Sequence, residues 1–131
     1  MEITLVDVKD LRPHEEIKQK NLQKMIKHVE KIQGYYIPIL VDKDTKTILD
    51  GHHRYHSALH LGINLIPAIE VNYLQDDTIN VKSWQGKEEM NITKDSILEA
   101  AKKGELYPPK TSKHILQSEY PEQFFSLQQL L

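Results

Sequence analysis

The stretch Ile48-Leu-Asp-Gly-His-His-Arg54 decides how this chain folds around its most reactive residues. Two apolar residues end a short strand, Gly51 follows, and a helix is predicted from His52 to Leu61. The free N–H groups at a helix start form an anion site, and the glycine permits a close approach to the backbone. The planar guanidinium of Arg54 suits a phosphate group. The segment therefore predicts a phosphate-binding turn.

The remaining polar side chains of this turn add further chemistry. His52 and His53 can donate protons or hydrogen bonds near neutral pH. Asp50 is a candidate ligand for a magnesium ion, or a partner that orients a histidine. Each residue by itself also fits an ordinary turn whose polar side chains face water. The uninterrupted run Asp-Gly-His-His-Arg favours a functional site over that alternative.

The segments on either side predict an α+β fold, in which a small mixed sheet is flanked by helices within one domain, residues 1–131. The predicted strands are Ile3–Val8, Tyr36–Val41, Thr47–Leu49, Leu65–Val71 and Ile79–Trp84. Four helices are predicted. The first begins near Pro13 and ends at Gly34, and the second runs over His52–Leu61 with an apolar face of Tyr55, Ala58 and Leu59. The third runs from a cap at Thr93 through Lys103, and a short fourth helix follows Pro121.

Two further segments carry candidate functional residues. Pro13-His-Glu-Glu16 is predicted to open the first helix, where Glu15 would take a proton from a substrate hydroxyl if the fold brings it to the phosphate turn. A carboxylate at a helix start is also favoured by the helix dipole alone. Tyr107–His114 is predicted to be a rigid loop, and its Lys110, Thr111 and Ser112 offer donors to phosphate or carboxylate. An exposed connector explains that loop equally well.

Three histidines on the predicted helix suggest a rival site. His52, His56 and His60 recur at every fourth position, so adjacent pairs could chelate zinc or nickel. The outer two lie roughly 12 Å apart along the axis, too far to share one ion. A polar helix face is the favoured interpretation.

The composition limits the class of protein. The chain has 131 residues, no cysteine and a net charge of −2, so thiol chemistry is excluded and no basic surplus favours nucleic acid. No apolar run approaches a membrane span, and the N-terminus does not resemble a signal peptide. We therefore expect a cytoplasmic protein that binds neither a membrane nor nucleic acid.

Several separate motifs resemble the ParB/sulfiredoxin-like superfamily. In chain order they are Leu11-Arg-Pro-His-Glu15, Pro38-Ile-Leu-Val41, Ile48–Arg54, Ala58-Leu-His-Leu-Gly62 and Pro67. Within that superfamily the Asp-Gly-His-His-Arg form resembles the free serine kinase branch, as do Trp84 and the closing run Gly104–Leu116. ParB-type partition proteins typically carry an acidic residue and two arginines at the turn, and sulfiredoxin carries a catalytic cysteine.

The resemblance implies a compact ParB/sulfiredoxin-like domain that transfers a phosphoryl group from ATP or ADP to the hydroxyl of a free amino acid, above all L-serine. It implies Mg²⁺, which offsets charge on the phosphates. The expected partners are a nucleotide and a free amino acid, and a homodimer is left open.

The resemblance also implies a role for each matching residue. Glu15 matches the catalytic base, and His53 and Asp50 join it in catalysis, with Asp50 as the metal ligand. The nucleotide and its phosphates would be bound by Gly51, His52, His53, Arg54 and Lys110. The amino acid would be bound by Trp84, Thr111, Ser112 and His114.

The chain departs from this branch in two ways. Members carry a longer insert between the Trp84 strand and the closing helix, where only Gln85–Thr93 stands here, so contacts from that insert are missing. Ser112 and Lys113 replace a commoner Thr and Arg, and Lys cannot make the bidentate contact of Arg. The alternative function is a non-catalytic nucleotide-binding or DNA-associated regulator of the ParB type. It would leave Glu15 and the closing run without a role.

Overall fold

The structure is a computed structural model that describes all residues, 1–131. The elements follow in the order β1 (Thr4–Asp7), α1 (Gln19–Ile32), β2 (Gly34–Tyr35), β3 (Ile39–Asp42), β4 (Ile48–Asp50), α2 (His52–Leu61), β5 (Leu65–Val71), β6 (Ile79–Ser83), α3 (Lys94–Lys103), β7 (Ser112–Leu116), β8 (Phe125–Ser126) and α4 (Leu127–Leu130). Two short 3-10 turns lie at Val8–Asp10 and Glu88–Met90.

A four-stranded mixed sheet in the order β1-β5-β3-β4 forms the centre. Its two middle strands, β3 and β5, run parallel, and each outer strand pairs antiparallel with its neighbour. Two small ribbons, β2–β8 and β6–β7, complete the strands. The predicted α+β class with a small mixed sheet is confirmed. Because β4 is an edge strand, the turn that follows it lies at the margin of the sheet.

Both faces of the central sheet are covered, which explains its uninterrupted apolar runs. Successive strand residues point to opposite faces, so Ile39, Val41 and Ile48 pack in the cluster that includes residues of α1 and α2. Leu40 and Leu49 pack on the other face, in the cluster that includes residues of β6 and α3. All five side chains are at most 2% exposed. The sheet is therefore a rigid base for the turn after β4.

Helix α2 and strand β5 have the bounds that the sequence predicts, and α3 begins at the predicted cap. Thr93 and Ser96 form a reciprocal capping box there. The predicted apolar face of α2 is partly wrong, because Leu59 is 48% exposed whereas Ala58 is fully buried. The predicted terminal helix is present as α4, which buries Leu130 in the core.

The first long helix starts later than predicted. Residues 13–18 are not helical, and the predicted helix opened by Pro13 with Glu15 and Glu16 in its first turn is therefore wrong. Glu15 instead forms a parallel bridge with Tyr107, and the N–H of Glu16 donates to the Tyr107 carbonyl at 2.8 Å. Pairing with a distant segment has overridden the local helix signal.

The residue that ends α1 is Gln33 in the left-handed conformation, so the prediction of Gly34 for that position is wrong. Gly34 is needed for close packing instead. A Cβ atom there would lie 2.3 Å from the carbonyl oxygen of Phe125, where β2 pairs with β8.

The predicted rigid loop before residue 114 is only half correct. Residues 108–111 are irregular, but Ser112 begins β7, which pairs along its whole length with β6. Ser112 and His114 are therefore fixed by strand register, opposite Ser83 and Val81. No helix in the structure has the length and apolar character that a bilayer crossing requires.

Gly51→Ala should lower the free energy of unfolding by about 3 kcal/mol, measured by urea denaturation. Gly51 has φ +106°, and a Cβ atom there would lie 2.5 Å from Cγ2 of the buried Ile39. Gly62→Ala is the matched control, because Gly62 also has positive φ but nothing lies within 4 Å of its Cβ position. The control should cost about 1 kcal/mol. Equal losses in the two variants would contradict the role of the Ile39 contact.

Candidate active site

A cleft of about 440 Å³ opens where β4 and α2 meet the closing segment, defined as residues 107–114. It brings together every predicted site residue except Thr111, namely Glu15, Asp50, Gly51, His52, His53, Arg54, Trp84, Lys110, Ser112 and His114. It also includes four residues without a predicted role, Asn21, Met25, Leu49 and Lys113. Asn21 and Met25 come from α1, one helical turn apart, and the sequence assigns no functional role to either.

The start of α2 has no side-chain cap, which makes it a candidate anion site. Gly51 occupies the N-cap position in the left-handed conformation, and no side chain caps the helix. The starts of α3 and α4, in contrast, each carry a capping box. The first-turn N–H groups of α2 cannot be satisfied within the helix, and they lie at the cleft.

Arg54 adds a cation that has no carboxylate partner. Its Nε is buried without a hydrogen-bond partner, and the ion pairs of the structure join Lys46 to Glu70 and Glu99 to Lys103. A buried donor without an acceptor costs roughly 1–3 kcal/mol. A bound anion would remove that cost, which supports Arg54 as part of an anion site.

The opposite wall carries two lysines around Trp84. The Nζ atoms of Lys110 and Lys113 lie 5.9 and 5.0 Å from the indole centroid, within cation–π range. The indole Nε1 donates to the carbonyl oxygen of Ser112 at 3.0 Å, which ties the ring to β7. Lys87 donates to the carbonyl oxygen of Pro109 at 3.1 Å and so holds the preceding loop. The cleft thus has positive charge on both walls.

Glu15 lies between these walls with one carboxylate oxygen fixed. Its Oε1 accepts the N–H of Thr111 at 3.1 Å, the N–H of Ser112 at 2.9 Å and the Oγ–H of Ser112 at 3.0 Å. None of these bonds falls on Oε2. Burial raises the pKa of Glu15 above its ordinary value, while the N–H and hydroxyl donors of residues 110–112 oppose that rise. A held carboxylate with a raised pKa and one unused oxygen suits a general base.

His14, which has no predicted role, connects three separate segments of the site through hydrogen bonds. Its side chain is fully buried. Nδ1 lies 2.7 Å from the carbonyl oxygen of Ile48, Nε2 lies 2.8 Å from Oγ of Ser112, and its backbone N–H donates to Nε2 of His52 at 3.2 Å. No spacing in the sequence identifies this residue, because its three partners are 34 to 98 residues away.

Burial keeps the deep histidines neutral. It lowers the pKa of His14 to about 4 and that of His114 to about 3, and it holds the pKa of His52 well below its usual range. His114 also lies 2.7 Å from the Tyr73 hydroxyl. Of the two roles expected for His52, proton donation and hydrogen bonding, the lowered pKa favours hydrogen bonding by a neutral ring. His53 is only half-buried, and burial lowers its pKa to a smaller degree.

The structure gives two predicted residues surroundings that the sequence did not indicate. Oδ2 of Asp50 accepts the hydroxyl of Tyr120 at 2.9 Å, and burial raises the pKa of that tyrosine, which stays a donor. Thr111 is fully buried, and its hydroxyl donates to the carbonyl oxygen of Pro108 at 2.7 Å. Thr111 reaches the site through its N–H, so its predicted side-chain contact with an amino acid has no support in the geometry.

The rival metal site on α2 gains no support from the structure. His52 is buried and accepts the His14 N–H, whereas His60 is exposed. No group of three His, Asp or Glu side chains in the structure could hold a metal ion.

Comparison with known proteins gives several similar relatives, three of which are described below, while no family model matches. A ParB-like protein of Sulfolobus acidocaldarius is 40% identical over 79 residues, which are 60% of this chain and 39% of that protein. An ATP-dependent L-serine kinase of Staphylothermus marinus is 33% identical over 88 residues, 64% of this chain and 34% of the kinase. The ADP-dependent L-serine kinase SerK of Thermococcus kodakarensis is 30% identical over 88 residues, 64% of this chain and 36% of the kinase.

The matched regions thus span little more than a third of the length of these relatives. Among solved structures, a free serine kinase in complex with AMP is similar over 98% of this chain and 93% of its own, with a TM-score of 0.88 and 18% identity. That likeness shows the fold. The predicted similarity to ParB-like proteins and to L-serine kinases is confirmed by these relatives.

Arg54→Ala should weaken the binding of ADP by roughly 10-fold to 100-fold, measured by isothermal titration calorimetry with magnesium present. The reason is the loss of charge-assisted hydrogen bonds from the one guanidinium in the cleft. Arg12→Ala is the matched control, because Arg12 is exposed and does not line this cleft. An unchanged Kd for Arg54→Ala would remove Arg54 from the anion site.

Proposed function

We propose that this chain is a kinase that transfers a phosphoryl group from ATP or ADP to the hydroxyl of a free amino acid, L-serine above all, and yields O-phosphoserine. One observation carries the proposal: the carboxylate of Glu15 lines the same cleft as the uncapped start of α2 and Arg54. Phosphorylation of a hydroxyl needs a base close to the site that binds the phosphates, so that both act on one bound substrate. The similarity to ATP-dependent and ADP-dependent L-serine kinases supports the same reaction.

The phosphates of the donor would bind at the turn after β4. The first N–H groups of α2 meet the phosphate oxygens, and Arg54 and His53 contact the phosphoryl group that is transferred. Lys110 approaches from the opposite wall and adds positive charge. His52, which is neutral and bonded to the His14 N–H, holds the turn in shape instead of carrying charge.

The amino acid would lie between Glu15 and Trp84. Ser112 and His114 border this part of the cleft, and Lys113 lies over the indole, where it can meet a carboxylate. Glu15 takes the hydroxyl proton as the hydroxyl oxygen bonds to the terminal phosphorus. The bond from that phosphorus to its bridging oxygen breaks, and ATP leaves as ADP or ADP leaves as AMP.

Magnesium fits this cleft as a partner of the nucleotide. Asp50 offers one carboxylate, of which Oδ2 already accepts the Tyr120 hydroxyl, and magnesium commonly takes one or two carboxylates together with substrate phosphates. Asp50 would hold the ion, which offsets charge on the phosphates when it is bound. Tyr120 fixes the orientation of that carboxylate.

A second candidate function is a ParB-type regulator that binds a nucleotide without catalysis. The 40% identity to a ParB-like protein favours it. The raised pKa and fixed position of Glu15 have no role in such a regulator, and this favours the kinase. We further propose that residues 1–131 act as one domain in the cytoplasm.

Glu15→Gln should lower the kcat of serine phosphorylation by roughly 100-fold to 10,000-fold and leave the Kd for ADP nearly unchanged. The amide keeps the shape of the side chain but cannot accept the proton. Glu16→Gln is the matched control, because Glu16 is adjacent and exposed. Equal activity of the two variants would show that Glu15 is not the base.

The pH dependence follows from the direction of the Glu15 shift. A base acts in its ionised form, and burial raises the pKa of Glu15, so kcat/KM should rise with pH through a midpoint above that of an ordinary glutamate. The rise should be absent in the residual activity of Glu15→Gln. A profile that is flat between pH 4.5 and 7 in the unmodified protein would contradict this assignment.

Phosphorus NMR tests the reaction itself. The purified protein is incubated with magnesium, ATP or ADP, and each of serine, threonine and homoserine in turn. A new phosphomonoester signal in one mixture identifies both donor and acceptor. Nucleotide binding without a phosphomonoester in any mixture would reject the kinase and support the regulator.

A further inference from the structure

Ser112 holds one hydroxyl proton between two acceptors. Its Oγ lies 3.0 Å from Oε1 of Glu15 and 2.8 Å from Nε2 of His14. Nδ1 of His14 lies 2.7 Å from the carbonyl oxygen of Ile48, which can only accept, so Nδ1 carries the ring proton. In a neutral imidazole Nε2 is then a bare acceptor. Glu15 and His14 therefore compete for the same proton.

The neutrality of His14 is essential to this competition. An imidazolium would carry a proton on Nε2 and donate to Ser112, which would leave the hydroxyl free to serve Glu15 alone. Its full burial opposes that charge and lowers the pKa of His14 to about 4. Near neutral pH the Ser112 hydroxyl therefore has a single proton to donate to two acceptors.

We propose that His14 competes with Glu15 for the hydroxyl proton of Ser112 and thereby makes Glu15 a stronger base. When Glu15 is ionised, its negative charge attracts the hydroxyl, and Nε2 of His14 loses its partner. When Glu15 has taken a proton, the hydroxyl turns to Nε2. His14 thus stabilises the protonated form of Glu15. It is a positioning residue, since it acts through Ser112 and does not line the cleft.

The catalytic consequence rests on the proposed function, because only a reaction that needs a base uses the basicity of Glu15. Other ionisable groups of the cleft also influence Glu15 and must stay constant in a test. They are Asp50, His52, His53 and Arg54 from the junction of β4 and α2, and Lys110, Lys113 and His114 from the closing segment and β7. Substitution at position 112 or 14 leaves each of these residues unchanged in identity, although the ring of His14 packs against His52 and His114.

The test is an NMR titration of the purified protein without nucleotide or amino acid. The carboxyl ¹³C signal of Glu15 reports its protonation, and the ¹⁵Nε2 signal of His14 reports whether Nε2 accepts a hydrogen bond. In the unmodified protein both signals should shift with the same midpoint, because Ser112 turns as Glu15 titrates. A ¹⁵Nε2 signal that stays constant while Glu15 titrates would overturn the proposal, and this readout requires no variant to fold.

The variants should move the Glu15 pKa in opposite directions. Ser112→Ala removes a donor to the ionised carboxylate, so it should raise the Glu15 pKa by about one unit and abolish the linked His14 response. Ser112→Thr keeps the hydroxyl and should restore both. His14→Phe removes the competitor, so it should lower the Glu15 pKa by roughly half a unit. A folded His14→Phe protein with an unchanged or raised Glu15 pKa would also overturn the proposal.

A kinetic measurement separates this inference from the proposed function. If the protein phosphorylates serine, the acid limb of kcat/KM in Ser112→Ala should move upward in pH by the same amount as the Glu15 pKa. If the unmodified protein forms no phosphoserine, the kinase is rejected, while the linked NMR midpoints still decide whether His14 and Glu15 share the proton of Ser112.

Discussion

The hydrogen bonds of the buried His14 are the constraint on which the rest of the site depends. Its ring joins the carbonyl oxygen of Ile48 to the hydroxyl of Ser112, and its backbone N–H meets the ring of His52. These partners belong to β4, β7 and α2, so one residue connects the edge of the sheet, the β6–β7 ribbon and the turn between β4 and α2. In the low dielectric of the interior such bonds are strong, and the loss of one partner would leave a buried polar group unsatisfied.

The network also explains how charge is distributed in the cleft. The deep histidines are neutral because they are buried, so they act as a hydrogen-bonded frame. Positive charge is left to Arg54 and to the two lysines beside Trp84, none of which forms an ion pair. Glu15 is the acidic group whose pKa burial raises. Neutral histidines thus surround a cleft that contains one carboxylate with a raised pKa and three cations without ion-pair partners.

The local elements of the fold were predictable wherever a short stretch carries its own signals. Helix α2 has a glycine at each end, and α3 begins at a threonine cap, so their bounds follow from the sequence. The predictions failed for residues 13–18 and for Ser112–His114. Both segments take their structure from pairing with distant residues, Tyr107 in one case and β6 in the other. Local propensity does not contain that information.

The sequence by itself predicted the turn after β4 as a candidate anion site, because a strand, a glycine and the helix start with its Arg54 are contiguous. Through resemblance it also predicted that Glu15 and the closing segment lie near this turn, and the structure places them around one cleft. Only the tertiary structure decided that Ser112 and Thr111 hold Glu15, that Tyr120 holds Asp50, and that His14 lies beneath them all. Those contacts, together with the burial that shifts the pKa values, arise from residues that meet only after the chain has folded.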